Sequence, residues 1–315
     1  MPRADAPSPD GVAAFRGALL DAGLLVATPS PGVYHRGFEF ERIVAGIDAC
    51  VADAATHPQW RRLVLSPVQP MSNLEHSGYV TSFPNLIGIV SSFEGGEAQV
   101  PEILTTVDEG GDWTELTAAS GLALCSAACH GVYPLLVGDD AVRDGVRCEV
   151  SAWCFRHEPS DDPARLQTFR MHEYVYVGEP GAALAHRDEW LERGRALFES
   201  LGLEVGVVAA NDPFFGRAGR LLAANQREKE LKYELVAPIS SAIPGAIGSA
   251  NYHEDHFGAA YSLHTRDGEP AHSACIGFGL DRVAVALLLR HGVDVSRWPS
   301  SVQAALWPPE RSRVP

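Results

Sequence analysis

Residues 153–178 read WCFRHEPSDDPARLQTFRMHEYVYVG, and no other stretch limits the fold as much. An apolar run ends in Phe155-Arg156-His157-Glu158, and a loop with Pro159, Asp161, Asp162 and Pro163 follows. The chain then returns through Phe169-Arg170-Met171-His172-Glu173-Tyr174 into a second apolar run. Two such runs around a Pro/Asp loop predict a long β-hairpin, and so antiparallel pairing. The hairpin's loop end has its own chemistry. Arg156 and Arg170 can each offer a planar fork to phosphate oxygens. Glu158 can accept from an exocyclic amine, and Phe169 or Tyr174 can cover a purine face. An arginine, a carboxylate and an aromatic ring on paired strands make a nucleotide site. The sequence has neither a P-loop nor a GxGxxG fingerprint to make one another way.

The surrounding pattern supplies the rest of the sheet. Helices are expected over residues 12–25, 38–55, 74–86, 116–130, 183–201 and 216–232, and a final buried helix over 280–290. Strands are expected over residues 62–67, 97–104, 148–156, 203–209 and 233–239, with 271–279 leading into that last helix. Hairpins among alternating elements favour a mixed, mainly antiparallel sheet flanked by helices, an α/β arrangement of α+β type, over a doubly wound parallel one. With 315 residues the chain can bury one large core. Residues 1–10 read as a disordered, Pro-rich tail and 11–315 as a single domain. No run reaches the length of a membrane span, no signal-peptide core is present, and the six cysteines lack the spacing of a secreted disulfide scaffold. A cytoplasmic protein with reduced thiols is expected.

Charge narrows the function. A net charge of −15 opposes a broad nucleic-acid surface. The chain's two lysines, Lys229 and Lys232, nonetheless sit in a basic cluster with Arg217, Arg220 and Arg227. That cluster reads either as a solvated helix face or as a dock for an acidic partner. Cys129, Glu173 and Cys275 are scattered, and by spacing alone are two buried thiols and a paired carboxylate. His253 and His256, a His-x-x-His pair, together with His272 read either as metal ligands or as a polar loop lining a site. Cys125 reads as core.

FRHE, a loop and RMHEY resemble motif 2 of the class II aminoacyl-tRNA synthetases. Cys275-Ile-Gly-Phe-Gly-Leu-Asp-Arg282 followed by VAVALLL resembles their motif 3, and the helix and strand over residues 38–67 resemble motif 1, the dimer element. From about Leu24 to Trp307 the chain is similar to the amino acid:[carrier protein] ligases, small relatives of the seryl-tRNA synthetase catalytic core. The resemblance implies a class II synthetase-like core that binds ATP through Arg156 and Arg282, with Glu158 reading the adenine amine. Tyr174 would stack on the base, with Phe169 in reserve. It also implies a zinc held by Cys129, Glu173 and Cys275, whose open position takes the amine of a small amino acid, glycine or alanine. Asn251 matches an active-site asparagine of the seryl branch. The magnesium glutamate of that branch is replaced by Gly245 and Ala246, which leaves Glu234 as the candidate for magnesium.

The implied reaction is formation of an aminoacyl-adenylate, then transfer to the phosphopantetheine thiol of an acidic carrier protein. The carrier would dock on Arg217, Arg220, Arg227, Lys229 and Lys232 along an added helix over 216–232. A homodimer is expected, and tRNA is not expected as acceptor, because the residues before the core show no paired long helices. A divergent seryl-type tRNA synthetase and an inactive paralogue acting as a binding subunit are the alternatives.

Overall fold

A computed structural model describes residues 9–55, 59–212, 230–240 and 244–308. In chain order it contains α1 (Pro9–Asp21), β1 (Leu25–Ala27), β2 (Tyr34–Arg36), α2 (Phe38–Asp53), β3 (Arg61–Val64), β4 (Val68–Pro70), α3 (Met71–His76), α4 (Tyr79–Ser82), β5 (Ile89–Ser92), α5 (Val100–Asp108) and β6 (Ala118–Leu124). It continues with β7 (Val146–Phe155), β8 (Thr168–Gly178), α6 (Pro180–Ser200), β9 (Gly206–Ala209), β10 (Lys232–Pro238), β11 (Pro244–Tyr252), α7 (His256–Tyr261), β12 (His272–Gly279), α8 (Leu280–His291) and α9 (Ser300–Leu306).

The main sheet has seven strands in the order β3-β7-β8-β12-β11-β10-β9. Only β3 and β7 pair in parallel; the other neighbours are antiparallel. The expected hairpin is β7–β8, with Val146 opposite Val177 and Phe155 opposite Thr168. A smaller sheet, β4-β6-β5, lies to one side.

Strand pleating divides the core in two, because successive side chains point to opposite faces. One face of β8 presents His172, Tyr174 and Tyr176; the other presents Phe169, Met171, Glu173 and Val175. The first face is covered by α2, α6 and α8. Helix α2 buries Phe40, Ile43, Val44, Ile47 and Val51 there, each worth about 1.5–3 kcal/mol relative to exposure. Tyr174 lies in this layer, stacked on Trp190 of α6 with ring centroids 3.7 Å apart, and donates its hydroxyl hydrogen to the Val51 carbonyl at 2.8 Å. The second face is covered by the irregular segment 125–144 and by Phe257 and Tyr261 of α7.

Several expectations are corrected. Residues 97–104 form no strand: a short 3₁₀ turn leads into α5, with Pro101 in the helix's first turn, where its missing N–H costs nothing. The span 116–130 is no helix. It is mostly β6, pinned between β4 and β5, followed by a 3₁₀ turn at Ala128–Gly131. Residues 74–86 break into α3, α4 and a 3₁₀ turn, with Gly78 at φ 71° between the two helices. Helix α8 is not the last, since α9 follows and packs on α2. Most of 216–232 lies outside the described residues; Lys232, its last residue, begins β10.

Candidate active site

The uncovered middle of the second sheet face is the floor of a cavity of about 440 Å³. Register sets the floor in rows. Glu173 of β8 stands opposite Gly277 of β12, which stands opposite Ser249 of β11, which stands opposite Glu234 of β10. In the next row Cys275 stands opposite Asn251, and Asn251 opposite Lys232. A side chain at Gly277 would displace Met171 from the cavity floor. A Cβ there would lie 2.7 Å from Met171 Cε and 3.2 Å from Glu173 Cγ.

At one end of the floor Cys129, Glu173 and Cys275 converge. All three are buried, and one donor atom from each lies within 4.8 Å of the others. Cys129 arrives from the 3₁₀ turn after β6, whose Ala128 N–H donates to Glu173 Oε1 at 2.8 Å. Asn251 Nδ2 and His253 Nε2 each lie 3.7 Å from Cys275 Sγ, and His253 Nδ1 is 2.9 Å from Ser273 Oγ. The hydrogen bond with Cys129 lowers the Cys275 thiol, helped by His253 and Asn251. Burial, and then the charge of Cys275, push Glu173 up to about 7. The same crowding pushes the Cys129 thiol up as well, and a dication would relieve Cys129 and Glu173 both. Two sulfurs and a carboxylate oxygen fit zinc with one position left open.

At the other end Arg156 and Arg282 face the same cavity. Arg156 lies over the Phe169 ring at 5.4 Å and donates from Nε to the Ser126 carbonyl at 3.2 Å. Arg282 donates to the carbonyls of Ala164 and Ala246, both at 3.0 Å, and among the described residues its other three N–H groups are left for a ligand. Burial, then repulsion from Arg156, lowers its guanidinium. Glu158 lines the cavity 3.8 Å from Arg165. The hairpin loop beneath is clamped: Gln167 donates from its backbone N–H to Gly32 O and from Nε2 to Pro31 O, both at 2.8 Å.

The structure thus gathers Arg156, Glu158, Phe169, Glu173, Glu234, Asn251, Cys129, Cys275 and Arg282 around one cavity. Two expected residues, Tyr174 and Arg170, fall elsewhere, and Lys232 lines this cavity instead of an outer docking face. Tyr174 is on the opposite sheet face, so the ring beside Arg156 is Phe169. Arg170 shares that opposite face and is held by Asp281 and Glu41, at 3.0 and 2.6 Å. Lys232 is no surface docking residue: it is buried and pairs with Asp212 at 2.5 Å and Glu234 at 3.2 Å. Arg217, Arg220, Arg227 and Lys229 lie outside the described residues. Sequence reading passed over Tyr79, His130, Met171 and Ser249, which also line the cavity. For Met171 the period-2 alternation from Glu173 was an available signal.

Fold and site together define a class II aminoacyl-tRNA synthetase-like catalytic core. The structure of Methanopyrus kandleri seryl-tRNA synthetase in complex with A. aeolicus tRNASec superposes on 97% of this chain and 61% of that one, with TM-score 0.78 and 20% identity. The Pyrococcus horikoshii seryl-tRNA synthetase complexed with ATP covers 88% of this chain and 58% of that one, with TM-score 0.64 and 14% identity. No protein-family profile matches the chain. Amino acid–[acyl-carrier-protein] ligase 1 of Bradyrhizobium diazoefficiens is 42% identical over 282 residues, covering 88% of this chain and 85% of that protein. The type-2 serine–tRNA ligase of Methanopyrus kandleri is 31% identical over 200 residues, 58% of this chain and 37% of that one. The chain belongs to the amino acid–[acyl-carrier-protein] ligases. It is a ligase.

Proposed function

We propose that this ligase activates a small amino acid, glycine or alanine, as its adenylate and passes the aminoacyl group to the phosphopantetheine thiol of a carrier protein. The observation that carries this reading is the single cavity with an anion-binding end and a metal-binding end. Arg156 and Arg282 hold the phosphates of ATP; two cations facing one buried space favour a polyanion. Phe169 covers the adenine and Glu158 accepts from its amine. Cys129, Glu173 and Cys275 hold zinc, which supplies a Lewis-acid position for the substrate's neutral amine. Asn251 and His253 orient the Cys275 sulfur. Glu234 is the candidate for magnesium; its carboxylate already pairs with Lys232.

With amine and phosphate fixed, the carboxylate oxygen is placed for attack on the α-phosphorus, and pyrophosphate leaves. The thiolate then attacks the acyl carbon, and AMP leaves. The carrier names in the related ligases support the acceptor, as does the cluster of Arg217, Arg220, Arg227 and Lys229 on an acidic protein. The test is pyrophosphate exchange across the twenty amino acids, with carrier and tRNA as competing acceptors. Neutralising Arg220 and Arg227 should slow transfer to carrier severalfold, leave exchange nearly intact, and matter less as salt rises. Efficient charging of tRNA, or transfer unchanged in the double variant, would refute the carrier reading.

A further inference from the structure

The two rows of the cavity floor are polar or bare, and one apolar side chain intrudes on them. Residues directly opposite in a ladder share a face, so Gly277 faces the cavity beside Glu173. A Cβ on Gly277 would project into the cavity 2.7 Å from Met171 Cε, with Glu173 Cγ at 3.2 Å and Glu173 Cδ at 3.3 Å. Met171 itself stands opposite Gly279, on the side of the arginines. Its side chain therefore runs back along β12 towards the metal end, and its methyl group covers Gly277. Met171 is half-buried, packs on the cluster that holds Cys129 and Cys275, and lines the cavity.

The cavity face of β8 thus carries three side chains in line: Phe169 beside Arg156, then Met171, then Glu173 of the three-donor cluster. Alternate residues on a strand are roughly 7 Å apart, which sets Met171 midway between the ring and the carboxylate. The adenylate reading above, on which this inference rests, places a ligand along that line. Phe169 covers the adenine, and the amine sits at the cluster. In an aminoacyl-adenylate, amine nitrogen and phosphorus are separated by Cα, the acyl carbon and one bridging oxygen, roughly 5 Å in all. The substrate Cα therefore lies close to the metal end, over Gly277 and the Met171 methyl. Gly277 leaves a hollow there, and the methyl fills part of it. A substrate with hydrogen or one methyl on Cα fits the remainder; each further carbon has to push Met171 aside.

We propose that Met171 sets the size limit on the substrate's side chain: its methyl group over Gly277 admits glycine or alanine and opposes longer chains. A thioether on an unbranched stem can shift, so the limit is a graded penalty rather than a rigid wall. One methylene in a close-fitting pocket changes discrimination by roughly 10- to 200-fold, and a flexible side chain supplies the lower part of that range. Met171 takes no part in the bond changes; it acts on which amino acid is held between the three donors and Arg156.

The test is calorimetric binding of a graded series of probes, glycyl-, alanyl-, 2-aminobutyryl- and norvalyl-sulfamoyl-adenosine, to the full-length protein. In wild type the affinity should fall at least about tenfold from the alanyl to the norvalyl probe. Met171→Ala should bind the norvalyl probe at least about tenfold tighter than wild type does, with the glycyl probe kept within about threefold. Met171→Val, shorter than Met and suited to a strand, carries the same expectation should Met171→Ala not fold. Met171→Leu, which nearly conserves volume, should keep the wild-type order of probes. A smaller fall in wild type overturns the proposal without any variant. So does a smaller norvalyl gain in the shortened variants, or a gain shared equally by all four probes. Wild type binding none of the probes overturns the adenylate reading and this inference with it; the other failures leave that reading standing.

Discussion

Neither Arg156 nor Arg282 has a carboxylate partner within ion-pair distance among the described residues, so two cavity-facing guanidinium groups keep donors to spend on a ligand. Removing a charge-assisted fork from a desolvated transition state costs about 2–4 kcal/mol, so Arg156→Ala should slow pyrophosphate exchange roughly 30- to 1,000-fold. A change within about threefold would remove Arg156 from the ATP site. Cys275→Ala should yield protein without zinc by metal analysis and without exchange activity, because one of three donors is gone and the amine loses its anchor. Zinc retained at one per chain in that variant would refute the assignment. Arg156, Glu158 and Arg282 were legible in the sequence because motif spacing carries them; Cys129, Glu173 and Cys275 were legible only through the family resemblance, since by spacing alone they read as core. Tyr174 and Arg170 were misplaced because the alignment was read without the pleat. Once Glu173 is assigned to the cavity, residues one and three positions away must face the other side of the sheet.

Helix α6 shows how the reverse face is locked. His186 donates from Nε2 to the Tyr174 carbonyl at 3.1 Å and sits buried beside Trp60, Tyr176 and Trp190. Burial brings its imidazole down to about 4. The folded value is below the ordinary one, so the unfolded chain binds the proton more readily. The stability this group contributes is complete above about pH 6.5 and is lost as pH falls towards 4, to a limit of about 3 kcal/mol. In His186→Gln the fall in urea midpoint between pH 6.5 and 4.5 should be clearly shallower than in wild type; an identical slope would count against this. Long amphipathic elements such as α2 and α6 were legible from periodicity. Strand β6 was not: Ala118-Ala-Ser-Gly-Leu-Ala-Leu124 has no strong period, and its pairing with β4 and β5 decides its state. Helix α5 was read as part of a strand over 97–104; Pro101 falls in its first turn, where the missing N–H costs nothing.

For the whole molecule, the main sheet ends in β3, a short edge strand whose residues are all exposed, with Val64 at 88%; Phe38, at the start of α2, is 96% exposed. We propose that two copies pair through the 38–67 region and cover this edge. Sedimentation at micromolar concentration should give the mass of a dimer, and Val64→Asp should shift it towards monomer; a wild-type monomer would refute the pairing. The rows on the cavity floor also have a consequence in time. Cys129 and Glu173 leave the ribosome well before Cys275, and only the pairing of β12 with β8 brings Cys275 beside them. A nascent chain therefore presents an incomplete chelate, with one thiol and one carboxylate exposed to whatever cation passes. With the three-donor site proposed above, the full donor set exists only once β12 docks against β8, which would tie metal selection to that long-range pairing.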